Sequence, residues 1–292
     1  MHSQKSDDIT IVKEKQIIAS ILKLQDNNSI QLNDIGWDSR VYIVNTGEAV
    51  FKFPRSDQVR NLYTHEIAGY KLLENINTDV ILPTIKWEHE NNDYFGYEGI
   101  VGTELDKVIK SLNSKEKRKI GRTIGSFLSQ LHGLELPTNT VSIQDEIDDY
   151  QNKYKLGLQV ITRNFDYKEQ QVLHQVFFEQ LPSELKKLGS ELALCHGDLG
   201  YWNMIYGVNG ELGIIDFGDI RYFDISKDFI GLKDKEILEC ALEIYGEKSN
   251  LREKINLRKK ILRILDLPFY IGKNDKKGIE LTVESIRKDF FV

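Results

Sequence analysis

The spacing of apolar residues predicts that the chain begins with a helix and a β-hairpin. Apolar side chains recur at helical intervals over residues 10–24. From residue 30 to residue 54 the pattern changes to short runs rich in β-branched and aromatic residues. Two of these runs, residues 40–44 and 49–53, are separated by residues 45–48, Asn-Thr-Gly-Glu, which are typical of a turn. An antiparallel hairpin is therefore expected here.

A second helix and two further strands follow within the first hundred residues. Over residues 60–75 we expect a helix with four apolar side chains directed to one side: Leu62, Ile67, Tyr70 and Leu73. Short apolar runs at residues 85–87 and 94–97 predict two more strands. The first hundred residues are therefore expected to be mostly antiparallel sheet.

Beyond residue 102 the spacing becomes helical. A strong apolar stripe predicts a helix with Ser114 as its N-cap and Gly133 as its stop. Residues 143–190 predict amphipathic helix with a break near Pro182, and residues 226–292 are again helical in pattern.

Two short apolar runs interrupt this helical part and predict two strands around a loop, at residues 192–195 and 213–216. The whole pattern predicts an α+β fold with two lobes. The N-terminal, β-rich lobe is expected over residues 1–101 and the larger helical lobe over residues 102–292, with the connection at about residues 98–102.

Composition and charge exclude several classes of protein. The chain has 292 residues, 40% of them apolar, and 39 basic against 45 acidic residues give a net charge of −6. An acidic chain is poorly suited to nucleic acid, so no nucleic-acid partner is expected. The two cysteines, Cys195 and Cys240, show no spacing typical of zinc or of a disulfide framework. The polar N-terminus and the lack of long apolar runs predict a cytoplasmic protein without a signal peptide or membrane span.

The residues with the most chemical information lie around the two interrupting strands. His196-Gly-Asp-Leu-Gly-Tyr-Trp-Asn203 follows the first strand, and Asp216-Phe-Gly follows the second. The side chains of Asp198, Asn203 and Asp216 offer oxygen ligands, which suit Mg²⁺ better than zinc. His196 is expected to orient the loop, because no geometry marks it as a base.

This arrangement resembles the aminoglycoside phosphotransferase family of small-molecule kinases, whose fold is that of the protein kinases. That family has His-Gly-Asp where protein kinases have His-Arg-Asp, and the spacing Asp-x₄-Asn followed by Asp-Phe-Gly is shared by both. Residues 224–228 resemble the Asp-Pro-x-x-Asp stretch of the family, with Ile225 in place of proline. The resemblance extends over residues 30–232. Beyond residue 232 it rests on the helical pattern of the sequence alone.

The resemblance also assigns roles to the N-terminal lobe. Lys52 on the second hairpin strand corresponds to the phosphate-binding lysine, and Glu66 on the next helix to its carboxylate partner. Residues 36–40 resemble the short loop that covers the nucleotide, with Ser39 near the phosphates. Residues 97–102 resemble the hinge between the lobes, so Tyr97, Glu98 and Ile100 are expected at the purine.

The implied reaction is transfer of a phosphoryl group from ATP or GTP to a hydroxyl. In this mechanism Asp198 is the catalytic base, and Asn203 and Asp216 hold Mg²⁺. Gly197 replaces the arginine that receives an activation-loop phosphate in protein kinases, and no room exists for a long activation loop. The implied acceptor is therefore a small molecule, and the enzyme is expected to be a monomer without phosphorylation switching.

The acceptor is less closely defined. The motifs resemble those of antibiotic kinases most, in particular those that modify the 2″-hydroxyl of aminoglycosides and confer resistance. Since aminoglycosides are polycations, Asp234, Glu236 and Glu239 are the candidate substrate ligands, although a solvated helix face explains them equally. A macrolide kinase and a metabolic kinase for choline, homoserine or methylthioribose remain alternatives. So does a nucleotide-binding module without activity.

Tyr97 also predicts the choice of nucleotide. It directly precedes the hinge, where a bulky aromatic side chain in the resembling aminoglycoside kinases goes with the use of GTP. Adenine has to lie deeper to pair with the hinge backbone, and a rigid phenol blocks that position. A preference for GTP is therefore expected, unless Tyr97 points into the core of the lobe.

Overall fold

The N-terminal part of the chain folds into a five-stranded antiparallel sheet. The computed structural model describes residues 8–34, 36, 38–74, 76–135, 138–246 and 248–291. The sheet consists of β1 (Ile30–Asn33), β2 (Ser39–Val44), β3 (Ala49–Pro54), β4 (Thr84–Glu88) and β5 (Phe95–Glu98), in the order β1-β2-β3-β5-β4. The predicted hairpin is confirmed, since Val44 of β2 lies opposite Ala49 of β3. Trp37, part of the expected nucleotide-covering loop, lies outside the described residues.

Helix α1 (Asp8–Leu22) covers the outer face of this sheet. Ile18 packs into a cluster with Tyr42 and Phe51. The buried carboxylate of Glu14 accepts hydrogen bonds from Arg40 Nη2 at 2.6 Å and from the Tyr42 hydroxyl at 2.7 Å. Because both partners lie on β2, these bonds fix the helix to one strand.

Helix α2 (Asp57–Leu73) covers the other face, towards the rest of the molecule. It begins earlier than predicted because Ser56 caps it, with the hydroxyl accepting a bond from the Val59 N–H. The buried stripe of the helix contains Tyr63, Glu66, Ile67, Tyr70 and Leu73. Leu62, expected in this stripe, is instead 58% exposed, because it lies beside the stripe on the helical circumference.

Beyond the large sheet, two small sheets hold the remaining strands. The first contains β6 (Gly102–Glu104), β8 (Met204–Gly207) and β9 (Leu212–Ile214), and the second β7 (Leu192–Cys195) and β10 (Arg221–Asp224). Sequence pattern predicted only β7 and β9. Strands β6 and β10 are short and carry charged residues, and β8 directly follows the motif that ends at Asn203, so it was counted as part of the loop. Strand β9 ends two residues before Asp216, which has a left-handed backbone with φ of 67°.

Helices make up the rest of the chain, as predicted. They are α3 (Leu105–Val108), α4 (Ser114–Leu131), α5 (Ile143–Asn164), α6 (Tyr167–Gln175), α7 (Leu181–Leu188), α8 (Lys235–Tyr245), α9 (Leu251–Gly272) and α10 (Lys276–Phe291). Helix α4 crosses α8 very closely at Gly121 and Gly125, where an added Cβ would come within 2.5 Å of α8 carbonyl oxygens. No helix in the described ranges is long and apolar enough to cross a membrane.

Two details of the helical part differ from the prediction. The N-cap of α4 is Asn113, whose side chain accepts from the Glu116 N–H in a reciprocal capping box, and Ser114 is the first helical residue. A break occurs at Asp166, which caps α6. Near Pro182 the helix continues, but a π-helical stretch, Val176–Gln180, joins α6 to α7 just before Pro182 and interrupts the regular α-helical hydrogen bonding there.

Candidate active site

Two loops, one after β7 and one after β9, meet through a buried histidine. His196 is fully buried, and its Nε2 lies 3.0 Å from the carbonyl oxygen of Ile215, next to Asp216. Its Nδ1 accepts the backbone N–H of Asp198 at 3.3 Å, so Nε2 carries the proton and donates to Ile215. The imidazole therefore orients both loops, as expected from the sequence.

A buried carboxylate anchors the first loop from behind. Asp228 accepts the backbone N–H groups of His196 at 2.8 Å and of Gly197 at 2.9 Å, and His132 Nε2 lies 3.2 Å from it. Burial works to raise the pKa of Asp228, but the hydrogen bond from His132 and the other donors keep the pKa below its usual value. The backbone before Asp198 is thus held by a stably ionised group.

Gly197 is required by the shape of this loop. Its φ is +87°, and an added Cβ would lie 2.5 Å from the carbonyl oxygen of Asp219. Neither the left-handed backbone nor the space admits a larger side chain. The structure therefore explains why an arginine, as in protein kinases, cannot occupy this position.

Lys52 links the large sheet to the loop after β9. Its Nζ donates to Glu66 Oε1 at 2.6 Å and to Asp216 Oδ1 at 3.1 Å. Lys52 and Glu66 are buried, whereas the side chain of Asp216 is 50% exposed. The backbone N–H of Asp216 donates to the Tyr70 hydroxyl at 3.2 Å, which supports its left-handed conformation.

The charges of this group are strongly coupled. Burial raises the pKa of Glu66 to about 7, with the ammonium of Lys52 working in the opposite direction. Burial also opposes the charged form of Lys52, but Asp216 and Glu66 together raise its pKa well above the usual range. Lys52 in turn lowers the pKa of Asp216. The lysine is therefore a fixed cation in a partly dry cleft.

Asp198 lies between two side-chain donors from its own loop. Its Oδ2 accepts from Trp202 Nε1 at 3.2 Å and from Asn203 Nδ2 at 3.0 Å. Burial raises the pKa of Asp198, and the bond from Trp202 acts against this rise. Because Asn203 uses its nitrogen in these bonds, its amide oxygen is directed to other ligands.

Several carboxylates converge near Lys52. Burial is the main cause that raises the pKa of Asp38, and the negative charge of Asp219 adds to it. The negative charges of Asp219 and Asp216 likewise contribute to the raised pKa of Asp198. Carboxylates this close together repel one another, and a small divalent cation bound by their oxygens would offset that repulsion. Asp216 and the amide oxygen of Asn203 therefore fit Mg²⁺, as their residue types suggested.

The predicted hinge and loop residues lie at different depths. Tyr97 is buried, and its ring centroid lies 5.4 Å from that of Tyr70. Glu98 is exposed, and its Oε2 lies 3.5 Å from Lys86 Nζ. The side chain of Ile100 lies over Gly213 of β9. Ser39 is buried, and its hydroxyl bonds that of Tyr63 at 2.7 Å. Ser39 is therefore occupied inside the lobe and is not directed towards the cleft.

The three acidic candidates for substrate binding are engaged elsewhere. Asp234 caps α8 and pairs with Lys117 of α4 at 2.8 Å. Glu236 pairs with Arg118 and Glu239 with Arg252, each at 2.8 Å. None of the three lines the cavity beside Asp198. The acidic residues cap α8 or form ion pairs with neighbouring basic residues, and these roles explain the acidic cluster without a bound ligand.

A family comparison identifies the kind of enzyme. A family model described as the phosphotransferase enzyme family matches residues 29–238, more than half of the chain. The chain belongs to this family. The resemblance inferred from the motifs is thereby confirmed, and the protein is a phosphotransferase.

Solved structures share the fold of this phosphotransferase at low sequence identity. A gentamicin complex of APH(2″)-IIa is 21% identical, with a TM-score of 0.72 over 99% of this chain and 100% of the other. A GDP complex of a mutant aminoglycoside 2′-phosphotransferase-IIIa has a TM-score of 0.78, 18% identity and coverages of 95% and 96%. Choline kinase LicA from Streptococcus pneumoniae has a TM-score of 0.64, 19% identity and coverages of 98% and 99%. The kinase-like α+β fold expected from the sequence is confirmed.

Several residues of the site were not assigned from the sequence. Tyr70 was counted only as an apolar helix position, yet its hydroxyl holds Asp216, 146 residues away. Asp228 was noted within a family-like stretch, but its bonds to the backbone of His196 and Gly197 were not foreseen. Asp38 was passed over in favour of Ser39.

Proposed function

We propose that this phosphotransferase is a Mg²⁺-dependent kinase that transfers the γ-phosphoryl group of ATP or GTP to a hydroxyl of a small molecule. The observation that carries the proposal is the ion-pair network in which Lys52 contacts Glu66 and Asp216 at 2.6 and 3.1 Å. This network joins the sheet to the loop that faces Asp198. It sets a fixed cation next to an oxygen ligand, which is the pairing that a phosphate group and its metal ion require.

The nucleotide binds between two lobes, residues 1–101 and 102–292, whose connection is the hinge at residues 98–102. Lys52 contacts the phosphates, and Glu66 fixes its ammonium. The hinge backbone of Glu98 and Ile100 pairs with the purine, and Tyr97 closes the back of that pocket. The Gly99 N–H, bonded to the Glu48 carbonyl at 3.0 Å, supports this arrangement because it fixes the hinge to the edge of β3.

Asp216 and Asn203 hold Mg²⁺ in the proposed complex. When bound, the ion would supply positive charge that offsets the charge developing on the transferred phosphoryl group. Lys52 keeps Asp216 ionised, since it lowers the pKa of that carboxyl. The Tyr70 hydroxyl and Lys52 together hold Asp216 in its unusual backbone conformation, so the ligand is positioned before the nucleotide arrives.

Asp198 aligns the acceptor. Its carboxylate accepts a hydrogen bond from the acceptor hydroxyl and takes up the proton late in the transfer, because an alcohol needs orientation more than early deprotonation. Trp202 and Asn203 fix the carboxylate for this task. A protein acceptor is disfavoured, because β10 begins at Arg221 and leaves no long segment after Asp216 for binding a peptide.

The expected aminoglycoside acceptor is favoured by the aminoglycoside kinases among the similar structures. The cavity beside Asp198 does not add support, because Asp234, Glu236 and Glu239 lie elsewhere. We therefore assign the acceptor as a small hydroxyl compound, and resistance to an aminoglycoside remains one physiological role among several.

Nucleotide binding tests the proposal directly. Isothermal titration of parent and Asp216→Asn with ATP or GTP, with and without Mg²⁺, is the measurement. Mg²⁺ should tighten binding to the parent by about tenfold or more and should have little effect in the variant, which loses the ligand charge. Asp289→Asn, on the exposed end of α10, is the matched control and should behave as the parent. Equal tightening in Asp216→Asn would contradict the assignment.

A further inference from the structure

The cavity beside Asp198 is lined by four cationic and three anionic side chains. It has a volume of about 450 Å³ and lies between the loop that contains Asp198 (residues 196–203, here called the catalytic loop), α5 and α9. Four cationic side chains line it: Lys153, Lys227, Lys233 and Arg263. Two carboxylates besides Asp198 also line it, Asp106 and Asp266. A site for a polycation would have the opposite balance.

Two of these cations have no carboxylate partner. Lys153 pairs with Asp149 at 2.8 Å, and Arg263 lies 3.7 Å from Asp266. Among the described residues, no carboxylate oxygen lies within 4 Å of the Lys227 or Lys233 ammonium. Lys233 lies over the ring of Trp202, 5.1 Å from its centroid, and Lys227 over the ring of Phe223, 5.7 Å from its centroid. A ring face attracts an ammonium without neutralising it, so both positive charges are available to an anionic ligand.

Lys227 is the better placed of the two. It lines the cavity together with Gly197 and Asp198, so it lies beside the loop that carries the proposed catalytic base. It is half-buried, and burial lowers its pKa. The nearest balancing carboxylate, Glu146, is occupied by Arg258 at 2.6 Å.

We propose that the acceptor carries an anionic group, a carboxylate or a phosphate, which Lys227 binds while the acceptor hydroxyl meets Asp198. This rests on the proposed kinase activity. The hydroxyl oxygen bonds to the γ-phosphorus, the bond from that phosphorus to the bridging oxygen breaks, the nucleoside diphosphate leaves, and Asp198 takes the proton. Lys227 contributes binding energy and orientation by pairing with a charge that neutral or cationic acceptors lack.

Matched acceptor pairs test the charge. Gluconate is compared with glucose, glycerol 3-phosphate with glycerol, and kanamycin serves as the polycation, all with Mg²⁺ and ATP or GTP. Nucleoside diphosphate release gives kcat/KM, and ligand-induced shifts of melting temperature score binding whether or not turnover occurs. In at least one pair the anionic member should exceed its neutral partner by about tenfold or more. An advantage of gluconate over glucose indicates a carboxylate, and an advantage of glycerol 3-phosphate over glycerol indicates a phosphate.

Variants assign the effect to Lys227. Lys227→Met should lower the advantage of the anionic member at least about tenfold while nucleotide affinity stays unchanged, and Lys227→Arg should retain most of it. Lys288→Met, exposed on α10, is the control. The proposal is overturned if kanamycin exceeds every anionic compound, if neither anionic compound exceeds its neutral partner, or if the advantage survives in Lys227→Met. Failure of the kinase proposal shows separately, as a parent protein that binds no Mg²⁺–nucleotide.

Discussion

Replacing Lys52 with methionine should destabilise the protein in a pH-dependent way. The side chain is buried between Glu66 and Asp216, at 2.6 and 3.1 Å from their oxygens. Methionine fills a similar volume but removes the charge. The side chain of Asp216 is half-exposed and stays ionised in water, whereas Glu66 is left in an apolar site without its cation. Glu66 therefore has to take up a proton or remain charged at a cost.

The size of the effect follows from the pKa of Glu66, which burial raises to about 7 in the folded parent from the usual value of 4.5. Because the folded pKa is raised, the folded state binds this proton more tightly, and stability falls as the pH rises from 4.5 towards 7. In the parent this loss of stability ends near pH 7, where Glu66 is ionised. Without Lys52 the pKa of Glu66 is higher still, so the variant loses about 1.4 kcal/mol more over one further pH unit.

Urea unfolding at about pH 6 and pH 8 measures this difference. The destabilisation caused by Lys52→Met should be about 1.4 kcal/mol larger at pH 8 than at pH 6. In a background that carries Glu66→Gln, Lys52→Met should destabilise the protein equally at the two pH values. Lys71→Met, on the exposed face of the same helix as Glu66, is the control and should cost the same at both values. Equal destabilisation by Lys52→Met at the two pH values would refute the coupling of Lys52 to Glu66.

Three further substitutions test separate parts of the site. Asp198→Ala should lower kcat by roughly 100-fold or more with nucleotide affinity nearly unchanged, and a variant that keeps most of its turnover would remove the catalytic role. Tyr97 is buried in the core against Tyr70, so a preference for GTP requires that its ring also closes the back of the purine pocket. On that proposal the parent should prefer GTP in kcat/KM, and Tyr97→Leu, which leaves a smaller cavity than alanine, should gain activity with ATP; equal use of both nucleotides by both proteins would assign Tyr97 to the core alone. Gly197→Ala should lower the unfolding free energy by about 2–5 kcal/mol and depress kcat, because strain adds to overlap with the Asp219 carbonyl. Gly189→Ala, at a positive φ without close neighbours, should show the strain without the loss of kcat.

Local sequence identified the parts of the site that depend on short-range chemistry. The positions of Lys52 on a strand, Glu66 on the next helix and Asp198 after a short strand follow from spacing and motif, and the structure has them on those elements. Apolar periodicity also gave most helices, because a buried stripe is visible within one element. Helix starts were less secure, since Asn113 and Ser114 are both good caps and only the hydrogen bonds distinguish them.

Contacts between distant segments could not be predicted in the same way. Ser39 has a hydroxyl suited to phosphate, but Tyr63, 24 residues away, binds it. Asp234 and Glu236 form an acidic run that suits a cationic ligand, yet Lys117 and Arg118 of another helix pair with them. In each case the residue type permitted two partners, and only the tertiary fold decides between them.

The catalytic loop and the acceptor cavity are supported by different groups, which has a consequence for specificity. Asp228 and His196, both fully buried, fix the loop from behind, on the side away from the cavity. Two of the side chains that set the charge of the cavity, Lys153 on α5 and Arg263 on α9, pair with Asp149 and Asp266 of their own helices rather than with the loop. We therefore expect that substitution of Lys153 or Arg263 changes the charge preference for the acceptor without moving Asp198. Since a shared fold does not define the acceptor, its charge has to be argued from the side chains that line the cavity of this protein.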